Sequence, residues 1–176
     1  MKIAFLDRDG VINREVNYLY RIEDFEFTPN CIVGLKRLIE SGYKIVIVTN
    51  QAGIARGYYT TRDYELLTDW YCSELEKHGV NILDVFHCPH HPEGSVSEFS
   101  IECDCRKPNI GMLELAARKY DVDLHESLLI GDKESDLLAG KKFGLSKLYM
   151  VETGHAVNLE SYDKYDVYPD IFSIPL

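Results

Sequence analysis

The stretch Ile3-Ala-Phe-Leu-Asp7-Arg-Asp9-Gly10 decides the fold class of this chain. Its first four residues form a continuous apolar run, which is typical of a strand buried on both faces of a parallel sheet. The run ends in two aspartates spaced two residues apart, and such residues point to the same side of an extended chain. Gly10 then permits a sharp turn. Because open α/β sheets bind ligands at the carboxyl ends of their strands, we expect Asp7 and Asp9 to face a ligand there.

Two carboxylates at this spacing repel each other, and a bound proton or cation relieves the repulsion. Mg²⁺ is a hard cation that takes oxygen ligands, so it is the favoured occupant. An Asp-rich turn without a ligand is the alternative interpretation. The rest of the chain decides between the two.

Strand-like and helix-like patterns alternate along the rest of the chain. Apolar or β-branched runs predict strands at 43–48, 82–86, 128–130 and 148–151. Helical spacing lies between them, with glycine stops at Gly42, Gly79 and Gly144. We expect loops at 11–28 and after Val48, and a less regular tail from Glu152 that docks through Ile171 and Phe172. The alternation predicts a doubly wound, mostly parallel α/β sheet flanked by helices.

Size and composition limit the possible classes of protein. The 176 residues, 45% of them apolar, suit one domain spanning 1–176 with a real core, and no gap has room for a large cap domain. A net charge of −10 argues against a general binder of nucleic acid or anionic membranes. No apolar run approaches the roughly 20 residues of a membrane span, and the first run is too short for a secretory signal. We therefore expect a cytoplasmic monomer with reduced cysteines.

A group of acidic residues follows the first and fourth predicted strands. If these strands are neighbours, Asp7 and Asp132 converge and become the best direct ligands of a dication. The backbone carbonyl of Asp9 can contribute as well, which leaves its side chain free. Asp136, one turn into the next helix, is expected to orient a metal-bound water or a lysine.

Basic and amide groups accompany these acids. Lys107 precedes a proline and a helix start, a position that favours anions, and Arg106 and Lys133 lie nearby in this scheme. A hydroxyl and two amides follow the second strand in Thr49-Asn50-Gln51, although turn capping is the alternative there. A dication beside lysines and a hydroxyl suits a phosphate.

A second metal site is indicated by Cys88 and His90, followed after twelve residues by Cys103 and Cys105. Three sulfurs and one imidazole satisfy tetrahedral Zn²⁺. Four protein ligands leave no open position, so the site is expected to be structural and to fix the loop 88–105.

The remaining histidines have other assignments. His91 and His87 stay open as alternatives to His90 for the nitrogen ligand. We expect His125 and His155 to be surface or core residues.

Together these motifs resemble those of the haloacid dehalogenase-like phosphatases over nearly the whole chain. The matching motifs are Asp7-Arg-Asp9-Gly10, Thr49-Asn50, Lys107, and Gly131-Asp132 with Asp136. Three further stretches narrow the resemblance: Cys88-Pro-His-His-Pro-Glu-Gly-Ser95, Cys103-Asp-Cys-Arg-Lys-Pro108 and Thr49-Asn-Gln-Ala-Gly-Ile-Ala-Arg-Gly57. They are similar to the D-glycero-D-manno-heptose 1,7-bisphosphate 7-phosphatase subgroup. The bacterial histidinol-phosphate phosphatase domain shares the zinc loop and is the nearest rival.

The resemblance implies a role for each matched residue. Asp7 would be the nucleophile that forms an aspartyl phosphate, and Asp9 the general acid and base. Mg²⁺ would be held by Asp7, the Asp9 carbonyl and Asp132, while Thr49 and Lys107 would hold the phosphoryl oxygens. Substrate contacts would come from Glu15, Val16, Asn17, Tyr18, Asn50, Gln51, Ala52, Arg106 and Lys133, with Arg106 suited to a second phosphate.

The implied activity is Mg²⁺-dependent hydrolysis of the 7-phosphate of a phosphorylated sugar, heptose 1,7-bisphosphate, in nucleotide-heptose and lipopolysaccharide biosynthesis. A phosphatase of histidinol phosphate or of another small molecule is the first alternative. A zinc-stabilised binding module without activity is the second, and the intact Asp7, Asp9, Lys107 and Asp132 argue against it.

Overall fold

A computed structural model describes residues 1–176 and contains one sheet of six parallel strands. The strands are β1 (Ile3–Leu6), β2 (Lys44–Asn50), β3 (Ile82–Cys88), β4 (Leu128–Gly131), β5 (Lys147–Val151) and β6 (Asp166–Tyr168). Their order across the sheet is β3-β2-β1-β4-β5-β6. Helices flank this sheet, which confirms the predicted doubly wound α/β class.

The helices alternate with the strands along the chain. They are α1 (Cys31–Glu40), α2 (Ala52–Ala55), α3 (Thr61–Lys77), α4 (Gly111–Lys119), α5 (Glu134–Phe143) and α6 (Leu159–Lys164). Single 3₁₀ turns occur at Ile22–Asp24 and Ile171–Ser173. No helix is both long enough and apolar enough to cross a membrane.

The period of two in β1 divides the core into two layers. Ala4 and Leu6 belong to one apolar cluster together with residues of α1 and α3. Ile3 and Phe5 belong to a second cluster with residues of α4 and α5. Because both faces of the strand are covered by helices, all of its four residues are apolar and fully buried.

Local signals in the sequence set the ends of the principal helices. Thr60 accepts a hydrogen bond from the backbone N–H of Asp63, and the Asp63 carboxylate accepts from the Thr60 N–H, forming a capping box at the start of α3. After α5, Gly144 has φ +100°, a left-handed conformation that glycine adopts at little cost.

The adjacency of β1 and β4 brings distant parts of the sequence together. Leu6 pairs with Ile130, and the N–H of Asp7 donates to the carbonyl of Ile130 at 3.0 Å. The aspartates that follow the two strands therefore meet at one edge of the sheet.

The structure differs from the sequence-based expectations at three places. β2 continues to Asn50, so Thr49 and Asn50 lie at the end of a strand rather than in a turn. The segments of α2 and α6 were expected to be irregular, yet both are helical. They were missed because they are too short to show a helical period in the sequence. Ile171 is buried and packs into the core as predicted, whereas Phe172 beside it is 48% exposed, so only Ile171 of this pair docks.

Candidate active site

Three buried carboxylates form the centre of the site. Asp7 follows β1, Asp132 follows β4 and Asp136 lies in the first turn of α5. One carboxylate oxygen of each lies within 4.8 Å of the others. Such a cluster of oxygen ligands is suited to a hard dication.

The ammonium group of Lys107 joins this cluster and uses all of its three N–H donors. It donates to Asp7 Oδ1 at 2.8 Å and to the carbonyl of Val48 at 2.7 Å, and it lies 2.7 Å from Asp136 Oδ1. The Lys107 side chain is only 2% exposed. The lysine is thus fixed beside the nucleophile candidate and partly balances its charge.

Burial and neighbouring charges change the acid–base properties of the cluster. Burial raises the pKa of Asp7 to about 6, with Lys107 opposing the shift and Asp136 adding to it. Burial and the charge of Asp7 likewise raise the pKa of Asp132. Burial disfavours the charge of Lys107, but Asp136 and Asp7 outweigh it and raise the lysine pKa. The negative charges of these buried carboxylates therefore repel one another, and a bound cation would relieve that repulsion.

The two carboxylate oxygens of Asp132 have different surroundings. Oδ2 accepts from the backbone N–H of His155 at 2.8 Å and lies 2.6 Å from its ring Nδ1. Oδ1 is buried and has no hydrogen-bond partner. Because an unpaired buried carboxylate oxygen is costly, Oδ1 has the character expected of a metal ligand. The residues present fit Mg²⁺.

Asp9 has a different environment from Asp7. Its carboxylate accepts from Arg8 Nη2 at 2.7 and 2.9 Å, from Asn13 at 3.0 Å and from Gln51 at 3.1 Å. Burial alone would raise the pKa of Asp9, but these partners, Arg8 foremost, outweigh it and lower that pKa. The side chain stands outside the three-carboxylate cluster, as expected if only its backbone carbonyl contacts a metal.

The end of β2 supports both acids from the other side. Gln51 Nε2 donates to Thr49 Oγ1 at 2.8 Å as well as to Asp9, and Gln51 Oε1 accepts from the hydroxyl of Tyr59. Asn50 contacts the backbone of Lys107 at two points, 3.0 and 3.1 Å. These side chains therefore fix the positions of the acid and the lysine.

The four side chains predicted to bind zinc also converge. Sγ of Cys105 lies 3.0 Å from Sγ of Cys88, 3.5 Å from Sγ of Cys103 and 3.4 Å from Nδ1 of His90. All four ligand atoms lie within 4.8 Å of one another. The contact between the two sulfurs lowers the pKa of Cys105 and raises that of Cys88. Three sulfurs and one imidazole nitrogen fit tetrahedral zinc.

The alternative nitrogen ligands have other partners. The ring of His87 packs on Tyr64 with centroids 4.1 Å apart. His91 lies 3.4 Å from Arg56 and accepts from the N–H of Glu93. Neither belongs to the sulfur cluster, whose one nitrogen atom comes from His90.

Known proteins with similar sequences and structures complete this picture. The profile of the HAD-hydrolase-like family matches residues 104–171. A protein of Photorhabdus laumondii named D-glycero-alpha-D-manno-heptose-1,7-bisphosphate 7-phosphatase is 59% identical over 155 residues, covering 88% of this chain and 85% of that protein. The Escherichia coli K12 protein named D-glycero-beta-D-manno-heptose-1,7-bisphosphate 7-phosphatase is 42% identical over 163 residues. The match covers 92% of this chain and 85% of that protein.

A solved structure agrees with these sequence matches. It is the D,D-heptose 1,7-bisphosphate phosphatase of B. bronchiseptica, complexed with magnesium and phosphate. The two structures superpose with a TM-score of 0.83 and are 30% identical in sequence. The match covers 98% of this chain and 95% of the B. bronchiseptica chain. This chain belongs to the haloacid dehalogenase-like phosphatases. It is an enzyme that acts on phosphate esters, of the heptose-bisphosphate phosphatase branch.

The phosphatase has a cavity of about 430 Å³ above its carboxylates. Most of the residues predicted from sequence line it, namely Asp7, Asp9, Glu15, Asn17, Tyr18, Asn50, Gln51, Ala52, Arg106, Lys107 and Lys133. Thr49 and Asp132 lie buried beside it. Val16 is 45% exposed and does not line the cavity, so its predicted substrate contact has no counterpart in this geometry.

The rim of the phosphatase cavity contains a strained segment. Asn17 and Tyr18 have φ of +58° and +65°, in the left-handed region that is unusual for a bulky residue. Tyr18 is supported by an edge-to-face contact with Tyr58, with centroids 4.7 Å apart. Strain of this kind is found where a backbone is shaped for binding.

Several residues at this site were missed from the sequence, among them His155 and Tyr59. His155 was assigned to the surface or core, yet it contacts Asp132 and lines the cavity. Its position after β5, at the same sheet edge as Asp7 and Asp132, was the signal that could have found it. Tyr59 reaches the site through Gln51 and carries no sequence signal of that contact.

Proposed function

We propose that this phosphatase hydrolyses the 7-phosphate of D-glycero-D-manno-heptose 1,7-bisphosphate and releases heptose 1-phosphate and inorganic phosphate. The single observation that carries the proposal is the meeting of Asp7, Lys107 and Asp132 at one edge of the sheet. The relatives named for that activity, which are 59% and 42% identical over most of the chain, support the choice of substrate.

In the first step a carboxylate oxygen of Asp7 attacks phosphorus. An aspartyl phosphate forms as the bond from phosphorus to the sugar oxygen breaks. Asp9 gives a proton to the departing sugar oxygen. The contact with Arg8 favours the ionised form of Asp9. To donate a proton, the Asp9 side chain turns away from Arg8 towards the leaving group.

In the second step Asp9 takes a proton from a water molecule, which attacks the phosphorus of the aspartyl phosphate. Inorganic phosphate leaves and the Asp7 carboxylate is restored. Thr49 and Lys107 hold the phosphoryl oxygens and balance their charge in both steps. The arrangement of Lys107, already fixed between Asp7 and Asp136, supports this role.

We assign the magnesium ligands to the carboxylates of Asp7 and Asp132 and the backbone carbonyl of Asp9. When bound, Mg²⁺ would neutralise the charge that gathers on the phosphoryl oxygens. The unpaired Oδ1 of Asp132 and the magnesium in the B. bronchiseptica relative support this assignment.

We assign a structural zinc ion to Cys88, His90, Cys103 and Cys105, where it would hold the loop 88–105 against the sheet. The convergence of the four ligand atoms supports zinc there. The ligand set is complete with protein atoms, so this ion would take no part in the hydrolysis.

The substrate contacts are assigned to the cavity lining. Glu15, Asn17 and Tyr18 would close over the sugar, and Asn50, Gln51, Ala52 and Lys133 would contact it from the sheet edge. Arg106 would bind the 1-phosphate, because a guanidinium holds phosphate through two parallel hydrogen bonds. Its Nη1 is buried without a partner, which supports an anionic ligand there. A monomer in the cytoplasm, one domain over 1–176, and no nucleic-acid or membrane partner stay predictions from the sequence.

We propose further that the enzyme prefers the α anomer. The Photorhabdus laumondii relative, named for the α anomer, is 59% identical to this chain. The Haemophilus ducreyi and Escherichia coli K12 relatives, named for the β anomer, are 41% and 42% identical. Measurement of kcat/KM for both anomers tests the preference, and a higher value for the β anomer would overturn it.

The substrate is tested by phosphorus NMR of the reaction products. Loss of the 7-phosphate signal with retention of the 1-phosphate signal is the expected result. A parallel assay with histidinol phosphate gives the matched comparison. A larger kcat/KM for histidinol phosphate than for heptose 1,7-bisphosphate would contradict the proposed substrate.

A further inference from the structure

The loop after β5 closes over the carboxylate of Asp132. His155 provides two nitrogen atoms to the same oxygen, its backbone N–H at 2.8 Å from Oδ2 and its ring Nδ1 at 2.6 Å. A carboxylate only accepts hydrogen bonds, so the proton of this contact resides on Nδ1. The Asp132 side chain is 0% exposed, while that of His155 is 42% exposed. The histidine is thus the outer partner of a buried acid.

The contact with His155 leaves the second oxygen of Asp132, Oδ1, without a partner. Oδ1 is buried and has no hydrogen-bond partner. Asp132 belongs, with Asp7 and Asp136, to the group of carboxylates that have one oxygen each within 4.8 Å of the others. One oxygen is therefore held by His155 and the other is available to a cation.

Two glycines allow the backbone to approach the carboxylate of Asp132 closely. A Cβ atom on Gly10 would lie 2.3 Å from Asp132 Oδ2, and one on Gly154 would lie 2.1 Å from it. The hydroxyl of Thr153 donates to the carbonyl of Gly10 at 2.7 Å and joins the two segments. The loop Thr153-Gly154-His155 and the turn at Gly10 thus enclose the acid between two stretches of backbone.

We propose that His155 is a positioning residue of the magnesium site: its ring and backbone N–H groups fix Asp132 Oδ2 so that Oδ1 faces the ion. The inference rests on the proposed magnesium site of this phosphatase. Partners of this kind, which hold a metal ligand from outside, typically change metal affinity about 10–100-fold when removed. His155 acts through Asp132 and does not itself touch the phosphate.

Calorimetric titration of Mg²⁺ into the zinc-loaded enzyme, without substrate, tests this role. His155→Ala removes the ring donor and keeps the backbone N–H, and we expect it to weaken magnesium binding about 10–100-fold. His155→Asn keeps a side-chain N–H in a similar place, so we expect a smaller loss. The control His125→Ala changes an exposed histidine whose backbone N–H donates to the Asp123 carboxylate, and we expect the wild-type affinity.

Kinetics separate positioning from general damage to the fold. The Mg²⁺ concentration for half-maximal turnover of His155→Ala should rise by the same factor as the dissociation constant, while kcat at saturating Mg²⁺ stays near the wild-type value. Gly154→Ala, which keeps the histidine but crowds Oδ2, should weaken Mg²⁺ binding as well.

One result would overturn the role of His155 alone, and a different result would overturn the magnesium site itself. Wild-type affinity for Mg²⁺ in both His155→Ala and Gly154→Ala would overturn the role of His155 and leave the phosphatase proposal intact. Failure of the wild-type enzyme to bind Mg²⁺ at all would overturn the proposed magnesium site, and the positioning role with it.

Discussion

At the scale of single residues, the site separates two aspartates that are only two positions apart. Asp7 lies in the cluster of three carboxylates beside Lys107, while Asp9 accepts hydrogen bonds from Arg8, Asn13 and Gln51. The first environment raises the pKa and the second lowers it. Without a cation these directions are the reverse of the proposed roles. Mg²⁺ beside Asp7 would favour the ionised form that a nucleophile needs, and Asp9 would have to leave Arg8 before it donates a proton.

The hydroxyl of Tyr59 is expected to matter through Gln51. It donates to Gln51 Oε1, and Gln51 in turn holds Asp9 and Thr49. In Tyr59→Phe a buried amide oxygen loses its partner, which should cost about 1–3 kcal/mol of unfolding free energy. Because Asp9 is then less well fixed, kcat should fall several-fold with little change in KM.

Tyr58→Phe is the matched control for this prediction. Its side chain is 54% exposed, so the change in stability should stay within about 0.5 kcal/mol. Urea unfolding and steady-state kinetics measure both variants. Equal effects of the two substitutions would exclude the proposed connection through Gln51.

At the scale of elements, the zinc loop is expected to depend on its ion for order. The loop 88–105 has little regular structure and crosses from the end of β3 towards Lys107. A ligand that binds only the folded state adds about 2.7 kcal/mol when its concentration is a hundredfold above Kd. Cys88→Ser should therefore lower the melting temperature and expose the loop to proteases.

Zinc content, melting and limited proteolysis measure this outcome. Cys72→Ser is the control, because Cys72 is half-buried and lies outside the sulfur cluster. A zinc-free protein that melts at the wild-type temperature and resists cleavage within 88–105 would refute the structural role of this ion.

The C-terminal segment is a second element whose docking can be tested. Ile171 is 2% exposed, and a Cβ on Gly34 of α1 would lie 2.8 Å from its side chain. Ile171→Ala should destabilise the protein by about 2–5 kcal/mol, because it leaves a cavity against α1. Denaturant unfolding gives the value.

The adjacent residue provides the control for the tail. Phe172 is 48% exposed, and Phe172→Ala should cost about 0.5 kcal/mol or less. If Ile171→Ala were as mild as Phe172→Ala, the tail would contribute little to stability.

At the scale of the whole molecule, strand order determines where the chemistry occurs. Asp7 and Asp132 are far apart in sequence, and only the pairing of β1 with β4 brings them together. The apolar runs and the strand-end aspartates predicted this meeting, since carboxyl ends of parallel strands share one edge. The convergence of Cys88, His90, Cys103 and Cys105 was also predictable, because sulfur and imidazole at short spacings indicate a metal site.

The remaining features were not predictable for physical reasons. Helices α2 and α6 are too short to contain a full amphipathic repeat. The contact of His155 with Asp132 depends on the approach of two backbone segments at Gly10 and Gly154, which is a tertiary feature without a local pattern. The link from Tyr59 to Asp9 has the same character.

Removal of magnesium should leave the fold of the molecule intact. The buried carboxylates are already partly balanced by Lys107, and the core lies in two apolar layers away from them. Selective removal of Mg²⁺, with zinc retained, should abolish turnover and shift melting little. Unfolding of the enzyme without Mg²⁺ would instead assign this ion a structural role.

The proposed mechanism depends above all on Asp7 carrying the phosphoryl group during turnover. Acid quenching of the reaction with heptose 1,7-bisphosphate, followed by mass spectrometry of the peptide that contains residue 7, detects this intermediate. We predict a phosphoryl group on Asp7 in the wild-type enzyme and neither phosphorylation nor turnover in Asp7→Asn. Undiminished hydrolysis by Asp7→Asn, with no phosphorylated peptide in the wild type, would contradict the mechanism.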